Sequence, residues 1–581
     1  MKLLLTAINA KYIHSNLAVY SLRAYAKEYR EQIELAEYTI NHRMEYILSG
    51  IYKKRPDVLC FSCYIWNISE VLAVAEEFHK LCPDVPIWMG GPEVSYEVEN
   101  FLQEHPFVTG VMVGEGEKIF QDLCEYYVNL EKKGKICFGE KPETIKGLAF
   151  LNADGHMIFT EPQTPLDMST IPFCYDEMED FKNRIIYYES SRGCPFRCSY
   201  CLSSIDKKLR FKDIGLVKQE LLFFIEKEVP QVKFVDRTFN CDHHHAMEIW
   251  RFLKENDRGI TNFHFEIAAD LLTDEEIEFI AGLRPGLIQL EIGVQTTNPE
   301  TITEIHRSMD LERVKYVTSR IKEGKNVHQH LDLIAGLPFE DYMTFQKSFD
   351  EIYALKPEQL QLGFLKVLKG SYMFEHAKEY GVIYQSRPPY ETMETKWLSF
   401  DEVLKIKQVE EMLEVYYNSR QYPMSIKLLE TEFDSAFAMF AALGDYYEQK
   451  GYFSLSHSRI QRLNIFLEFV ETIDKEHLEV FRQAATYDIY SRENAKSRPA
   501  FSGDLSEFRE LTRKFCKKGK LEHIEKFDYR MPQEKTVTTL PEREEQPYYL
   551  LFDYEKRDML NHQALIRHVD IGKTEGRESE C

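Results

Sequence analysis

Between residues 3 and 368 the sequence alternates short apolar, partly β-branched runs with stretches of helical periodicity, and no other feature constrains the fold as tightly. The first set of runs is LLLTAI (3–8), IELAEYTI (33–40), VLCFSCYIW (58–66), VPIWMGG (85–91) and VTGVMVG (108–114), each followed by a pattern such as ISEVLAVAEEFHKL. Apolar strands separated by helices predict a parallel sheet covered on both faces. Ligands of such sheets sit beyond the carboxyl ends of the strands, which singles out the loops NAKYIHSN, SCYIWN, GGPEVSY and GEGEK. Gly90-Gly91 allows close approach of backbone to a ligand, and Gly114-Glu115-Gly116-Glu117 opens the last helix of the set. Taken singly, each of these glycine pairs also reads as an ordinary tight turn.

The second set is RIIYYESSRG (184–193), KFVDRTFN (233–240), FHFEIAADLL (263–272), LIQLEIGVQ (287–295), VHQHLDLIAGLP (327–338) and LQLGFLKVL (360–368). Six βα units are too few to close an eightfold barrel but enough for an open one, whose strand-following loops form one face. Between the sets lies a polar connector containing GLAFLNADGHMIFT, a hairpin turning at Ala-Asp-Gly. After about residue 400 the apolar residues fall at three- and four-residue steps with few glycines or prolines, so helices are expected up to 535. The remainder carries one apolar patch, YYLLFDY, in a polar tail.

The 72 basic and 95 acidic residues of the 581 give a net charge of −23, which argues against broad electrostatic capture of nucleic acid or an anionic membrane. The start, MKLLLTAINAKYIH, mimics a signal peptide, but its apolar run is only about seven residues, short of the usual hydrophobic region. It is read as a buried first strand. No run approaches the roughly 18 apolar residues of a membrane span, and the cysteines lack the spacing of a disulfide framework. Reduced thiols in the cytoplasm are the expectation, with metal or redox chemistry ahead of disulfides.

CPFRCSYC (194–201) places Cys194, Cys198 and Cys201 within eight residues, directly after the first strand of the second set. A structural zinc site would want a fourth protein ligand. The nearest later cysteine is Cys241 in NCDHHH, where Asp242 reads as a helix N-cap and His243 to His245 as solvated first-turn residues. Iron–sulfur cubanes normally take four thiolates, so three in one loop suggest a cluster whose last iron faces a ligand instead of the protein.

CxxxCxxC with Tyr200 before the last cysteine resembles the radical S-adenosylmethionine (radical SAM) enzymes. The resemblance implies that the three cysteines hold three irons of a [4Fe-4S] cluster, the fourth chelating the amino and carboxylate groups of S-adenosylmethionine. One electron would then cleave the sulfonium to methionine and a 5'-deoxyadenosyl radical, drawn from a cellular one-electron donor such as flavodoxin or ferredoxin. It also implies S-adenosylmethionine contacts from Tyr200, chiefly through its backbone, and from Asp236, Glu291, Gln295 and Arg307, with DLIAGLP against adenine. Arg307 could pair a carboxylate bidentately. As lone residues each also has an ordinary strand-end or salt-bridge reading.

Ser62 and Tyr64, then Gly90-Gly91, resemble the Ser-x-Leu and Gly-Gly signatures of cobalamin-binding flavodoxin-like domains, with Tyr64 in the leucine place. That resemblance implies cobalamin contacts at Asn9, Tyr12, Ser62, Tyr64, Gly90, Gly91, Glu115 and Gly116. The family's Asp-x-His-x-x-Gly is missing: His14 lies in the loop Asn9 to Asn16 without that Asp or Gly, so no histidine is expected on the lower cobalt face. A vestigial or nucleotide-binding domain is the alternative.

Together the two resemblances point to the cobalamin-dependent radical SAM proteins over roughly residues 1–400. The expected α/β architecture is a cobalamin-binding-like domain (1–130), a linker with hairpin (131–182), a partial radical SAM (β/α)6 barrel (183–400), a helical C-terminal domain (401–535) and a tail (536–581). The implied activity is methyl transfer to an unactivated centre on a substrate the sequence does not identify. The alternatives are a ring-forming oxidase, a methylthiotransferase, whose N-terminal cysteine distribution is missing here, and a non-enzymatic electron carrier or sensor.

Overall fold

The computed structural model describes all residues except 133–140, 153, 176–180, 182, 206–207, 505–507, 517–518, 533–536, 559 and 571–581. The first sheet comprises β1 (Leu3–Asn9), β2 (Ile33–Thr39), β3 (Val58–Ser62), β4 (Ile87–Gly90), β5 (Gly110–Met112), β6 (Leu148–Leu151) and β7 (Met157–Phe159), in the order β2-β1-β3-β4-β5-β6-β7. The first five pair in parallel, as their two-sided apolar character requires, and every residue of β1 and β3 is buried. Helices α1 (Leu17–Tyr25), α2 (Met44–Lys54), α3 (Ile68–Leu81), α4 (Val98–Glu104) and α5 (Gly116–Lys132) connect them. The order 2-1-3-4-5 is the flavodoxin-like one, and its ligand face lies at the strands' carboxyl ends. The hairpin expected in the connector forms as β6 and β7, but it extends this sheet antiparallel from β5 through Val111↔Ala149 and Met112↔Leu148 instead of standing between two domains. Ala153, the first residue of its turn, and residues 133–140 of the polar stretch before it lie outside the described residues.

The second sheet consists of six parallel strands in sequential order: β8 (Ile186–Tyr188), β9 (Gln231–Phe234), β10 (Asn262–Ile267), β11 (Ile288–Gln295), β12 (His328–Ala335) and β13 (Gln359–Phe364). β13 and β8 pair only with their inner neighbours among the described residues, so the barrel is open. Asp213, Asp242 and Asp341 cap the intervening helices, Asp242 accepting from the His245 N–H at 2.8 Å as its position before a helical pattern predicts.

Beyond residue 400 five helices (Phe400–Leu413, Pro423–Leu429, Ala436–Lys450, Arg459–Ile473 and Leu478–Arg492) pack against one another and the barrel. The region read as the end of the helical domain and a tail holds a three-stranded antiparallel sheet, β14 (Glu522–Tyr529), β15 (Arg543–Arg557) and β16 (Ala564–Val569). Charged residues are interspersed through its strands, as in EHIEKFDY, so their mean hydropathy hides the buried Ile524, Phe527, Leu550 and Phe552.

Candidate functional site

The carboxyl ends of both sheets open onto one cavity of about 860 Å³. The first domain contributes Asn9, His14, Ser62, Tyr64, Gly90, Gly91, Glu115 and Gly116, all but one of the residues read as its ligand contacts together with His14, while the barrel contributes Glu189, Gly193, Lys233, Arg237 and Glu266. Tyr12 is the exception. It is 63% exposed outside the cavity, with the Arg184 guanidinium 5.1 Å from its ring centroid, because the chain turns outward before returning at His14. His14 Nδ1 lies 2.6 Å from the Tyr187 hydroxyl of β8, which fixes the imidazole to the barrel. Gly91 has φ +118°, and a Cβ there would meet the Cys63 carbonyl oxygen at 2.3 Å, so the loop after β4 requires glycine at that position. Tyr64 stacks on Trp66 with centroids 4.3 Å apart at the cavity wall.

The cysteine loop leaves the barrel through a short antiparallel ladder that pairs Ser191–Arg192 with Arg210–Phe211 and closes the loop's neck. Gly193 follows at φ +99°, where a Cβ would stand 2.7 Å from the Lys208 carbonyl oxygen. Cys194 and Cys198 are buried and Cys201 half-buried. Thr238 Oγ1 lies 3.6 Å from Cys194 Sγ, and Arg307 Nη1 donates toward Cys198 Sγ at 3.7 Å and to the Tyr200 hydroxyl at 3.4 Å. Burial pushes the Cys198 thiol up, against the pull of the Arg307 charge. Cys241 is half-buried in the turn after β9, and burial, with the nearby Cys194 second, pushes its thiol up to about 11.

The predicted S-adenosylmethionine contacts divide. Arg307 also donates to the Gly293 carbonyl, and a Cβ on Gly293 would stand 2.4 Å from Gln295 Nε2 and 3.6 Å from Arg307 Nη2, so Gln295 and Arg307 converge beside the cysteine loop. Gln295 Oε1 and Arg307 Nε are buried without a partner among the described residues. Such atoms are what a polar ligand would satisfy.

Asp236 does not face this space. It is 1% exposed and accepts from the Ser190 N–H at 3.0 Å and from the Ser190 and Ser191 hydroxyls at 2.6 Å each, while burial pushes its carboxyl up to about 6. Its carboxylate therefore holds the strand that launches the cysteine loop. His245, expected in solvent, is buried with Nε2 3.0 Å from Ser190 Oγ, and burial lowers it to about 4. Glu115 is likewise occupied by Arg210 and by Arg192 at 3.4 Å; burial would raise its carboxyl, but those cations and the Leu166 N–H hold it low. Glu291 belongs to a separate group inside the barrel: Lys233 Nζ and His264 Nε2 each lie 2.9 Å from its carboxylate, outweighing burial and holding it ionised.

Residues 3–124 match the family model "B12 binding domain", residues 188–352 match "Radical SAM superfamily", and residues 378–556 match "Protein of unknown function (DUF4080)". The chain carries a B12-binding domain followed by a radical SAM domain. This B12-domain radical SAM chain is 24% identical over 314 residues to the cobalamin-dependent radical SAM methyltransferase TokK of Streptomyces tokunonensis, a match covering 50% of this chain and 44% of the relative. The chain thus spans less than half the length of that relative. Among solved structures it is similar in fold to the radical S-adenosylmethionine methyltransferase TsrM of Kitasatospora setae, with a TM-score of 0.53, 17% identity and coverage of 66% of this chain and 78% of that one. It is also similar to the cobalamin-dependent S-adenosylmethionine radical enzyme OxsB, with a TM-score of 0.52, 14% identity and coverage of 88% and 75%. Among the described residues, no helix is long and apolar enough to cross a membrane.

Among the cavity-lining residues that motif reading missed are Glu189, Lys233, Arg237 and Glu266. The last three carried a usable signal: charged residues at strand positions or ends in otherwise apolar β9 and β10, on the face toward the barrel interior.

Proposed function

We propose that this protein is a cobalamin-dependent radical SAM methyltransferase that transfers a methyl group to an unactivated centre. The observation that carries the reading is the single cavity shared by the cysteine-loop neck and the loops after β1, β3 and β4. Cys194, Cys198 and Cys201 would hold a [4Fe-4S] cluster, and the clustered thiols beside a guanidinium suit it, since hydrogen bonds to sulfur tune such clusters. The open loop after β4 and the walls from Asn9, Ser62 and Tyr64 suit a large ring ligand such as a corrin, and the unpartnered Gln295 and Arg307 atoms suit S-adenosylmethionine. Once bound, the cluster supplies the electron for reductive cleavage of S-adenosylmethionine and cobalamin supplies a methyl-carrying cobalt.

The chain's own contribution is placement. Asp236 fixes the entry of the cysteine loop through Ser190 and Ser191, Arg307 ties Cys198 to the end of β11, and the stacked Tyr64 and Trp66 wall the cavity. His14 is held through Nδ1 by Tyr187, which leaves Nε2 as the ring nitrogen that a ligand could meet. The methyl-transfer assignment draws on TokK and TsrM, both named methyltransferases. A flavodoxin or ferredoxin is the proposed electron donor.

The test is to purify and reconstitute the protein anaerobically, quantify corrinoid after gel filtration, and supply reductant with S-adenosylmethionine labelled in its methyl group. One corrinoid per chain, with label moving to the corrin fraction, is the expected result. A chain that cleaves S-adenosylmethionine but retains no corrinoid, or never moves label to it, contradicts the methyltransferase reading.

A further inference from the structure

The barrel interior holds a second group of donors that the proposed reaction does not use. Residues of β9 to β12 alternate, so one face of the sheet carries Lys233, then His264 and Glu266, then Glu291, then His330 and Asp332. The register sets Glu266 opposite Glu291, Glu291 opposite His330, and Gly293 opposite Asp332, which stacks the polar side chains side by side. One ligand atom each from Glu291, His330 and Asp332 lies within 4.8 Å of the other two. His264 Nε2 lies 2.9 Å from Glu291 and His330 Nε2 lies 3.0 Å from Asp332.

At those separations ordinary hydrogen bonds would be expected, yet His264 Nε2, His330 Nε2 and Asp332 Oδ1 are buried without a hydrogen-bond partner among the described residues. The ring nitrogens face these carboxylates as charge partners without forming well-aligned hydrogen bonds to them. His264 and His330 are 6% and 7% exposed, so water does not meet the deficit. Leaving such atoms unsatisfied costs about 1–3 kcal/mol each. One atom from each of Glu291, His330 and Asp332 is close enough to the other two for a single ion to bridge all three.

We propose that Glu291, His330 and Asp332, flanked by His264, form a site for one divalent first-row transition metal ion in the barrel interior. A mixed set of imidazole and carboxylate donors suits Mn(II), Fe(II) or Zn(II), whereas Mg and Ca favour all-oxygen sets and Cu(I) favours sulfur. Lys233, 2.9 Å from Glu291, acts as the outer partner that orients a ligating carboxylate. Lys233 and Glu266, which neighbour these donors on the sheet, line the cavity, so the ion would stand behind its wall. The site stands whichever reaction the cavity performs.

Mn(II) is the probe, because a thiolate loop is a poor site for it. The full chain is taken with its cluster and any corrinoid in oxidised, EPR-silent forms, and the loss of the free Mn(II) signal is titrated. One Mn(II) per chain is expected, with affinity at least about tenfold weaker in E291Q, H330Q and D332N at unchanged iron content and circular dichroism. On the unsubstituted protein, pulsed EPR of the bound ion is expected to show coupling to an imidazole nitrogen, a readout that does not depend on the variants folding. Free Mn(II) throughout the titration, a bound ion without imidazole coupling, or folded variants that all bind as the unsubstituted chain does, would overturn the site.

Discussion

Two charged regions of this molecule border one cavity and are built oppositely. At the seam between the first domain and the barrel, Arg184 meets Glu37 at 2.6 Å, Arg192 meets Glu117 and Glu189 at 2.8 and 2.7 Å, and Arg210 meets Glu115. In the barrel interior the polar groups are less completely met: burial pushes Glu266 to about 7 and Asp332 upward, and the His264 and His330 nitrogens have carboxylates at 2.9 and 3.0 Å but no well-aligned hydrogen bond. Buried polar atoms in folded proteins are almost always satisfied, so a region that leaves several unmet is one whose partner is not the chain itself. The seam is scaffold that fixes one half of the cavity against the other, and the interior is binding surface.

The largest effect that would break this contrast belongs to Arg192. Its replacement by alanine leaves Glu117, whose side chain is 7% exposed, and Glu189 without their cation, and should cost about 3–5 kcal/mol in denaturant unfolding. A loss below about 1 kcal/mol would mean that the seam carries little of the fold's stability.

Glu340 sharpens the other side. It is 1% exposed, accepts from Thr296 at 2.5 Å and Ser348 at 3.0 Å, has its second oxygen unpartnered, and is pushed by burial to about 7. Because the folded value lies above the unfolded one of 4.5, its stabilisation is fully present below pH 4.5 and is lost as pH rises through about 7. The stability of the unsubstituted protein minus that of E340Q should therefore fall by up to about 3 kcal/mol from pH 4.5 to about pH 8. A difference that stays level, or rises with pH, would mean this carboxyl is as well satisfied as those of the seam.

The smallest effect is at the seam's neutral contact. Tyr187→Phe removes the partner of His14 and should cost about 1 kcal/mol, read as a small drop in Tm. No change would make that contact incidental.

Sequence and structure agree most closely where one pattern admits one outcome. Strands such as LLLTAI, apolar on both faces, have nowhere to go except between helices, and three cysteines after a strand mark a metal loop wherever the strand lies. What stayed hidden depends on which neighbour a side chain meets. Asp236 at a strand end could equally face a ligand or the adjacent strand, and Ser190 and Ser191, more than forty residues earlier, decide it. Glu291 sits four residues before Gln295 on the same face, yet the bend of the backbone at Gln295, φ 75°, carries Gln295 to the cysteine loop and leaves Glu291 deeper with Lys233. The sheet of β14 to β16 was obscured because the charged residues interspersed through its strands read as solvated until its partners are known.

The central claim is that three thiolates, and no fourth, hold a cluster open to S-adenosylmethionine, and Cys241 beside Cys194 is the residue that could refute it. The direct measurement is 5'-deoxyadenosine formed on reduction of anaerobically reconstituted protein, compared among the unsubstituted chain, C198A and C241A, with iron counted in each. The account predicts cleavage in the unsubstituted chain, background levels in C198A, and both iron content and cleavage retained in C241A. Cluster and cleavage lost in C241A, or cleavage persisting in C198A, would contradict it.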